Sequence, residues 1–311
     1  MKIYHGLDDF SKLDFAVVTS GTFDGVHVGH QKILTRLKEI ASRCNGETVV
    51  ITFWPHPRLV LHPEDDSLKL LNTFEEKAEL LKQQGVQHLI RIVFTKEFSQ
   101  LTSEEFIRRI LVEKIGTKKL VIGYDHHFGK NREGSFEQLV QKGPAYGFEV
   151  EEIPRQDVDH VGVSSTVIRK AIEDGDMETA THFLGNPYSI TGRVIAGDKI
   201  GRQLGFPTAN IEVESKYKLI PADGIYAVTL SHENQQYGGM LYIGNRPTIG
   251  SNTKSIEVNI FNFDKDVYGE SLTIFIHKRT RADKKFDSLE EMKTQLYRDQ
   301  VDAKQVLVHL K

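Results

Sequence analysis

Residues Gly21-Thr22-Phe23-Asp24-Gly25-Val26-His27-Val28-Gly29-His30 follow closely on the apolar run Phe15-Ala16-Val17-Val18. The run predicts a strand, the glycines a tight turn, and the two histidines stand at the start of an amphipathic helix pattern over His30–Ser42. A helix N-terminus offers unpaired N–H groups to an anion. Two imidazoles placed there supply further donors, which predicts a nucleotide triphosphate site in the first half of the chain.

Working outward, apolar runs at Phe15–Thr19, Thr48–Phe53, His88–Phe94, Lys119–Gly123 and Phe148–Ile153 alternate with helix patterns. After His30–Ser42 these are Phe74–Gln84, Ser103–Lys114 and Ser135–Lys142. Thr73 with Glu76 and Thr102 with Glu105 have capping-box spacing. The alternation predicts an α/β fold, a parallel sheet wrapped by helices, with ligands at the carboxyl ends of the strands. A helix is expected over 164–184, and Gly185-Asn186-Pro187 breaks the pattern. Beyond it come short β-rich runs, Tyr188–Ile195, Gly224–Ser231, Gly238–Ile243, Ser255–Phe263 and Ser271–His277, and a last helix over Ser288–Arg298. Runs at this pace predict a small barrel or sandwich. The expected domains are therefore 1–185 and 186–311.

Composition narrows the function classes. A chain of 311 residues exceeds one comfortable core and suits two domains. A net charge of −3 argues against bulk, non-specific nucleic-acid binding. The single cysteine, Cys44, excludes an internal disulfide and fits a reducing, cytoplasmic setting. Met1–Asp9 has no apolar segment of the signal-peptide kind, and no run approaches the ~20 residues of a membrane span. No nucleic-acid or membrane partner is expected.

Two constellations carry chemistry. At the first, His27 and His30 donate to phosphate oxygens where charge develops as pyrophosphate leaves; no protein nucleophile is needed. A metal pair or two incidental capping histidines would give the same spacing. Val163-Ser164-Ser165-Thr166-Val167-Ile168-Arg169 adds capping hydroxyls, with Ser165 and Arg169 on one helix face, a set that suits β- and γ-phosphates. The second constellation lies in residues 197–211. Gly197, Gly201 and Gly205 admit close backbone approach, and Phe206-Pro207-Thr208-Ala209-Asn210 places a hydroxyl and a carboxamide on one face of an extended segment. Two hard oxygens suit Mg²⁺; a barrel turn closed by Asx hydrogen bonds is the plain alternative. Glu257, between Ile256 and Val258, faces opposite to both, toward either a site or solvent.

Together these motifs resemble the bacterial bifunctional riboflavin kinase/FMN adenylyltransferase (FAD synthetase) family over nearly the whole chain. Gly21–His30, Phe53-Trp54-Pro55-His56-Pro57 and Gly123-Tyr124-Asp125-His126-His127-Phe128-Gly129 are similar to its adenylyltransferase module. His126 and His127 depart there from the commoner Asp-Phe-Arg-Phe-Gly. Pro207–Asn210, Gly224-Ile225-Tyr226-Ala227-Val228 and Ser255–Ile260 resemble its riboflavin kinase module.

The resemblance implies a Rossmann-like nucleotidyltransferase domain with a parallel sheet, then a six-stranded antiparallel barrel with a terminal helix. It implies riboflavin phosphorylation to FMN, then FMN adenylylation by ATP to FAD with release of pyrophosphate. By motif, His27, His30, Arg169 and Glu257 are catalytic, Glu257 as base. Gly21, Thr22, Phe23, Asp24, Gly29, Ser164, Ser165 and Thr166 bind ATP in the first domain, and Gly197, Gly205, Phe206, Pro207, Thr208 and Asn210 in the second. Thr208 and Asn210 hold Mg²⁺ with ATP. Phe53, Pro55, His56, Pro57, Asp125, Phe128, Arg281 and Phe286 border flavin. Two rivals are a flavin-sensing regulator that keeps the sites without turnover, and a nucleotidyltransferase acting on phosphopantetheine or nicotinamide mononucleotide. The downstream barrel argues against the last.

Overall fold

Val17, Val18, Val49, Val50, Leu89, Ile90, Val121 and Ile122 are all buried, as strands covered on both faces must be. The computed structural model describes residues 1–123, 127–153, 162–197, 200–233, 235–245 and 254–308. It divides into two compact units, Met1–Ser165 and Thr166–Lys311.

In the first unit, strands β1 (Lys2–Tyr4), β2 (Ala16–Ser20), β3 (Glu47–Trp54), β4 (His88–Val93), β5 (Thr117–Gly123) and β6 (Glu149–Ile153) form one sheet in the order β1-β4-β3-β2-β5-β6. Every pair is parallel. Alternation sends Val17, Val50, Leu89 and Val121 to one face, under helices α1 (Val28–Cys44) and α3 (Phe74–Gln83). Val18, Ile51, Ile90 and Ile122 go to the other, with Phe106, Ile107, Ile110 and Leu139. Those come from α4 (Ser103–Glu105), which runs into π-helical turns over Phe106–Ile115, and from α5 (Phe136–Tyr146). The five-residue α2 (Pro57–Leu61) follows β3. Both expected capping boxes form, at Thr73 with Glu76 and at Thr102 with Glu105.

The expected continuous helix over 164–184 is instead two. α6 (Ser165–Asp174) stops at Gly175, whose φ of +80° no continuing helix adopts. Asp176 then caps α7 (Met177–Leu184) by accepting from the Thr179 N–H at 3.0 Å.

The second unit holds a closed antiparallel barrel in the order β10-β11-β8-β7-β12-β9. Its strands are β7 (Tyr188–Ile195), β8 (Ala209–Glu212), β9 (Gly224–His232), β10 (Gln235–Asn245), β11 (Lys254–Ile260) and β12 (Ser271–Ala282). Five match the apolar runs; the sixth, β8, is the Ala209–Asn210 end of the Pro-Thr-Ala-Asn motif. One short helix, α8 (Ile200–Gln203), precedes it. The terminal helix α9 (Leu289–Val308) packs Ala303 against Phe206, Ala227, Met240 and Phe261. Among the described residues no helix is long and apolar enough to cross a membrane.

Candidate active sites

Strand β2 is where the first sheet reverses its order, with β3 on one side and β5 on the other. Ligands of open parallel sheets bind outside the carboxyl end at such a point, and Gly21 is the first residue past it. The turn there is strained. Phe23 and Val26 have φ of +47° and +41°, and such angles are costly for a bulky aromatic and a β-branched residue. Bonds from several elements hold it. Buried Asp24 accepts the Leu71 N–H at 3.0 Å and the Asn72 N–H at 3.4 Å on Oδ1. Its carbonyl accepts the Ser165 hydroxyl at 2.9 Å. The Thr22 carbonyl accepts from Lys77 Nζ at 2.6 Å and from the Thr52 hydroxyl at 3.3 Å.

His27 is the N-cap of α1, its Nδ1 accepting from the His30 N–H at 3.4 Å, and buried Gly29 lies in the first turn. The two imidazoles stack, 3.7 Å between centroids and 18° between planes, with Phe23 against His30 at 5.0 Å. No acidic side chain occupies the helix's first turn, so its positive end is unscreened from within the helix. Burial pushes His27 down to about 4 despite the opposing pull of Asp24. Burial, then the neighbouring His27 and Lys77, push His30 well below the ordinary range. Both are therefore neutral at pH 7. Enclosed His30 Nδ1 has no hydrogen-bond partner among the described residues, which suits it to a polar atom of a ligand.

Of the other expected contacts, Ser164 and Ser165 are part-buried at the start of α6, Thr166 is exposed, and Arg169 lies part-buried further along it. Phe53 and Phe128 belong to the same core face, Phe53 against Phe94 and Phe98, Phe128 against Phe106. Trp54 points to the opposite face, against Phe74 at 6.0 Å. Pro55 follows a cis peptide bond after Trp54. His56 caps α2 by accepting the Arg58 N–H at 3.2 Å, with Pro57 at the helix start. Asp125 and His126 lie outside the described residues.

In the barrel, β11 places Glu257 opposite Asn210 of β8 and Tyr242 of β10. Its carboxylate accepts the Ser255 hydroxyl at 2.8 Å on one oxygen and the Thr208 hydroxyl at 3.2 Å on the other. The register thus gathers Thr208, Asn210 and Glu257. A Cβ on Gly197 would lie 2.2 Å from the Asn210 carboxamide nitrogen, so any side chain there displaces that amide. Gly205, at φ +86°, turns the chain toward buried Phe206. A cleft of about 160 Å³ opens beside Thr208, lined by Val194, Arg202, Pro207, Phe263 and Tyr268 among others. Burial pushes the Tyr242 hydroxyl up to about 12, so it stays a donor, reaching Asp283 at 3.4 Å. Arg281 makes a two-pronged pair with fully buried Asp299 of α9, at 2.8 and 2.7 Å, and Phe286 lies 5.8 Å from its guanidinium.

No group of three or more His, Cys, Asp or Glu side chains among the described residues would hold a metal. The hard oxygens of Thr208, Asn210 and Glu257 fit a small divalent cation that also leans on substrate phosphate.

Three residues beyond the expected set matter here. Ser255 holds the Glu257 carboxylate. Asn259, buried, donates its amide to the Pro207 carbonyl at 2.7 Å. Lys77, only 2 % exposed, lies under the Gly21–Gly25 turn. Its position was readable: it shares the stripe Phe74, Ala78, Leu81 on the apolar face of α3.

Residues 10–167 match the family described as FAD synthetase, and residues 184–307 the family described as riboflavin kinase. A relative from Pseudomonas fluorescens described as a bifunctional riboflavin kinase/FMN adenylyltransferase is 37% identical over 93% of this chain and 92% of its own. Its counterpart in Escherichia coli K12 is 35% identical over 98% and 97%. The crystal structure of a Streptococcus pneumoniae protein described as a macrolide-efflux protein superposes with a TM-score of 0.87, at 32% identity over 97% of this chain and 98% of that one.

Proposed function

The chain belongs to the family of bifunctional riboflavin kinases and FMN adenylyltransferases, and on that premise we propose how its residues divide the work. It phosphorylates riboflavin to FMN and adenylylates FMN to FAD, with ATP as co-substrate of both steps. A flavin-sensing regulator without turnover is not favoured by these matches. We assign adenylylation to residues 1–185 and phosphorylation to 186–311, acting in the cytoplasm.

In the kinase, Glu257 takes the proton of the ribityl 5′-hydroxyl as that oxygen bonds to the γ-phosphorus and ADP leaves. The observation that carries this is the Ser255–Glu257–Thr208 set, which fixes both carboxylate oxygens. Thr208 and Asn210 are the residues that would hold Mg²⁺, and the nucleotide takes the cleft beside Thr208 with Gly197, Gly205, Phe206 and Pro207. When bound, the cation neutralises charge on the phosphates. Arg281 and Phe286 border flavin, with Arg281 oriented by Asp299.

In the adenylyltransferase, an FMN phosphate oxygen bonds to the α-phosphorus of ATP and pyrophosphate leaves. His27, His30 and Arg169 stabilise the phosphate charge, and the N–H groups at the start of α1 add to it. Gly21–Asp24, Gly29 and Ser164–Thr166 form the nucleotide's backbone and hydroxyl contacts. Phe53, Pro55, His56, Pro57, Asp125 and Phe128 border the flavin.

His30→Ala should lose FAD formation from FMN and keep FMN formation from riboflavin. Glu257→Ala should do the reverse. A folded variant that loses both activities contradicts the division.

A further inference from the structure

Lys77 lies in the apolar core beneath the first site, and neither of the two reactions above uses it. Its Nζ donates to the Thr22 carbonyl at 2.6 Å and lies 5.3 Å from the Trp54 ring. Phe74, Ala78 and Leu81 of its own helix share its core. The titratable groups whose fields couple to it are Asp24 in the turn and His30 on α1. Burying an ammonium costs stability, and lysine is almost never fully buried unless it is paired. The carbonyl it serves does not require it, because Thr22 O also accepts from Thr52.

The turn does. Gly21–Gln31 contains no Lys or Arg. Both its imidazoles are neutral at pH 7, and buried Asp24, its carboxylate turned to the Leu71 and Asn72 N–H groups, adds a negative charge within the turn. Lys77 is the positive charge directly beneath it. A charge held in the low-dielectric interior acts further than one in water and needs no reorganisation when ligand arrives.

We propose that Lys77 is a positioning residue of the adenylylation site, a fixed cation under the Gly21–Gly25 turn that offsets the phosphate charge of ATP through the Thr22 carbonyl and the His30 ring. This rests on the reading of that turn as the ATP site. Burial brings Lys77 down to about 8, against a smaller upward pull from Asp24, so the charge is lost within a measurable range.

The experiment measures FAD formation from FMN and ATP in the full chain, with Lys77→Met, Lys77→Arg and His30→Ala. Riboflavin phosphorylation by the same molecules serves as the internal control of folding. Lys77→Met should raise the KM for ATP or lower kcat in FAD formation at least tenfold, leave riboflavin phosphorylation unchanged, and melt no lower than the parent. Lys77→Arg should recover part of the loss. The parent's FAD-forming rate should fall above about pH 8, a limb absent from the residual activity of Lys77→Met. Unchanged kcat and KM in Lys77→Met, beside an inactive His30→Ala, would overturn the role of Lys77. So would a loss accompanied by a lowered melting temperature with no recovery in Lys77→Arg, which marks a packing role only. Full FAD formation in His30→Ala would instead remove the site reading beneath it.

Discussion

On the proposed division of work, the two sites handle the same co-substrate with opposite materials. The first is a strained turn at a sheet's switch point, with neutral stacked imidazoles and a cation sunk into the core. The second sits on a barrel wall, where neighbouring strands bring a carboxylate, a hydroxyl and a carboxamide together. The difference follows from the chemistry. Adenylyl transfer to a phosphate asks for no base, because the attacking oxygen is already ionised, so donors and a background charge suffice. Phosphorylating a hydroxyl releases a proton, and a carboxylate must be held where it can take it.

The largest effect should fall on the base. Glu257→Gln is expected to cut riboflavin phosphorylation by about 10²–10⁴-fold, the usual scale for a positioned general base. FAD formation from supplied FMN should be unchanged, with flavin products separated by chromatography. An equal loss in both steps would erase the contrast. Next, Asn210→Ala should raise the Mg²⁺ concentration for half-maximal kinase rate by roughly tenfold, about 1.4 kcal/mol of binding. The metal dependence of FAD formation should stay as it is. Gly197→Ala should act in the same direction, because its methyl would need the space of the Asn210 amide, 2.2 Å away. Its signature is a higher kinase KM for ATP.

The last effect is on stability and leaves both rates at pH 7 untouched. His27 titrates near 4 in the folded chain against the ordinary histidine value of 6.5, so the unfolded state binds more protons between those values. Stability contributed by neutral His27 is therefore full above about pH 6.5 and is lost as pH falls toward 4, by up to about 1.4 kcal/mol per pH unit. Thermal unfolding followed from about pH 7 to about pH 5 should show the loss, and His27→Gln should flatten it.

Much of this was legible in the chain because it is local. The strand runs, the two capping boxes and the turn before His27 each depend on a few consecutive residues. What escaped depends on partners distant in sequence. Strand β1 is three residues at a sheet edge and exists by pairing with β4. Strand β8 is four residues inside a Gly- and Pro-rich motif and is fixed by Glu257 and Val258 across the ladder. The hydroxyl of Thr208 meets Glu257 only through that register. Lys77 carried a readable sign, a charge on an apolar stripe, but in a helix otherwise rich in Glu and Lys it passes for one more solvated residue.

The proposed function rests on two independent ATP-using sites acting in series. The most direct test is a time course of flavins from riboflavin, ATP and Mg²⁺ with the unmodified protein. FMN should rise first and then convert to FAD. FMN that accumulates without becoming FAD, or bound riboflavin that yields neither, would contradict two sites in series.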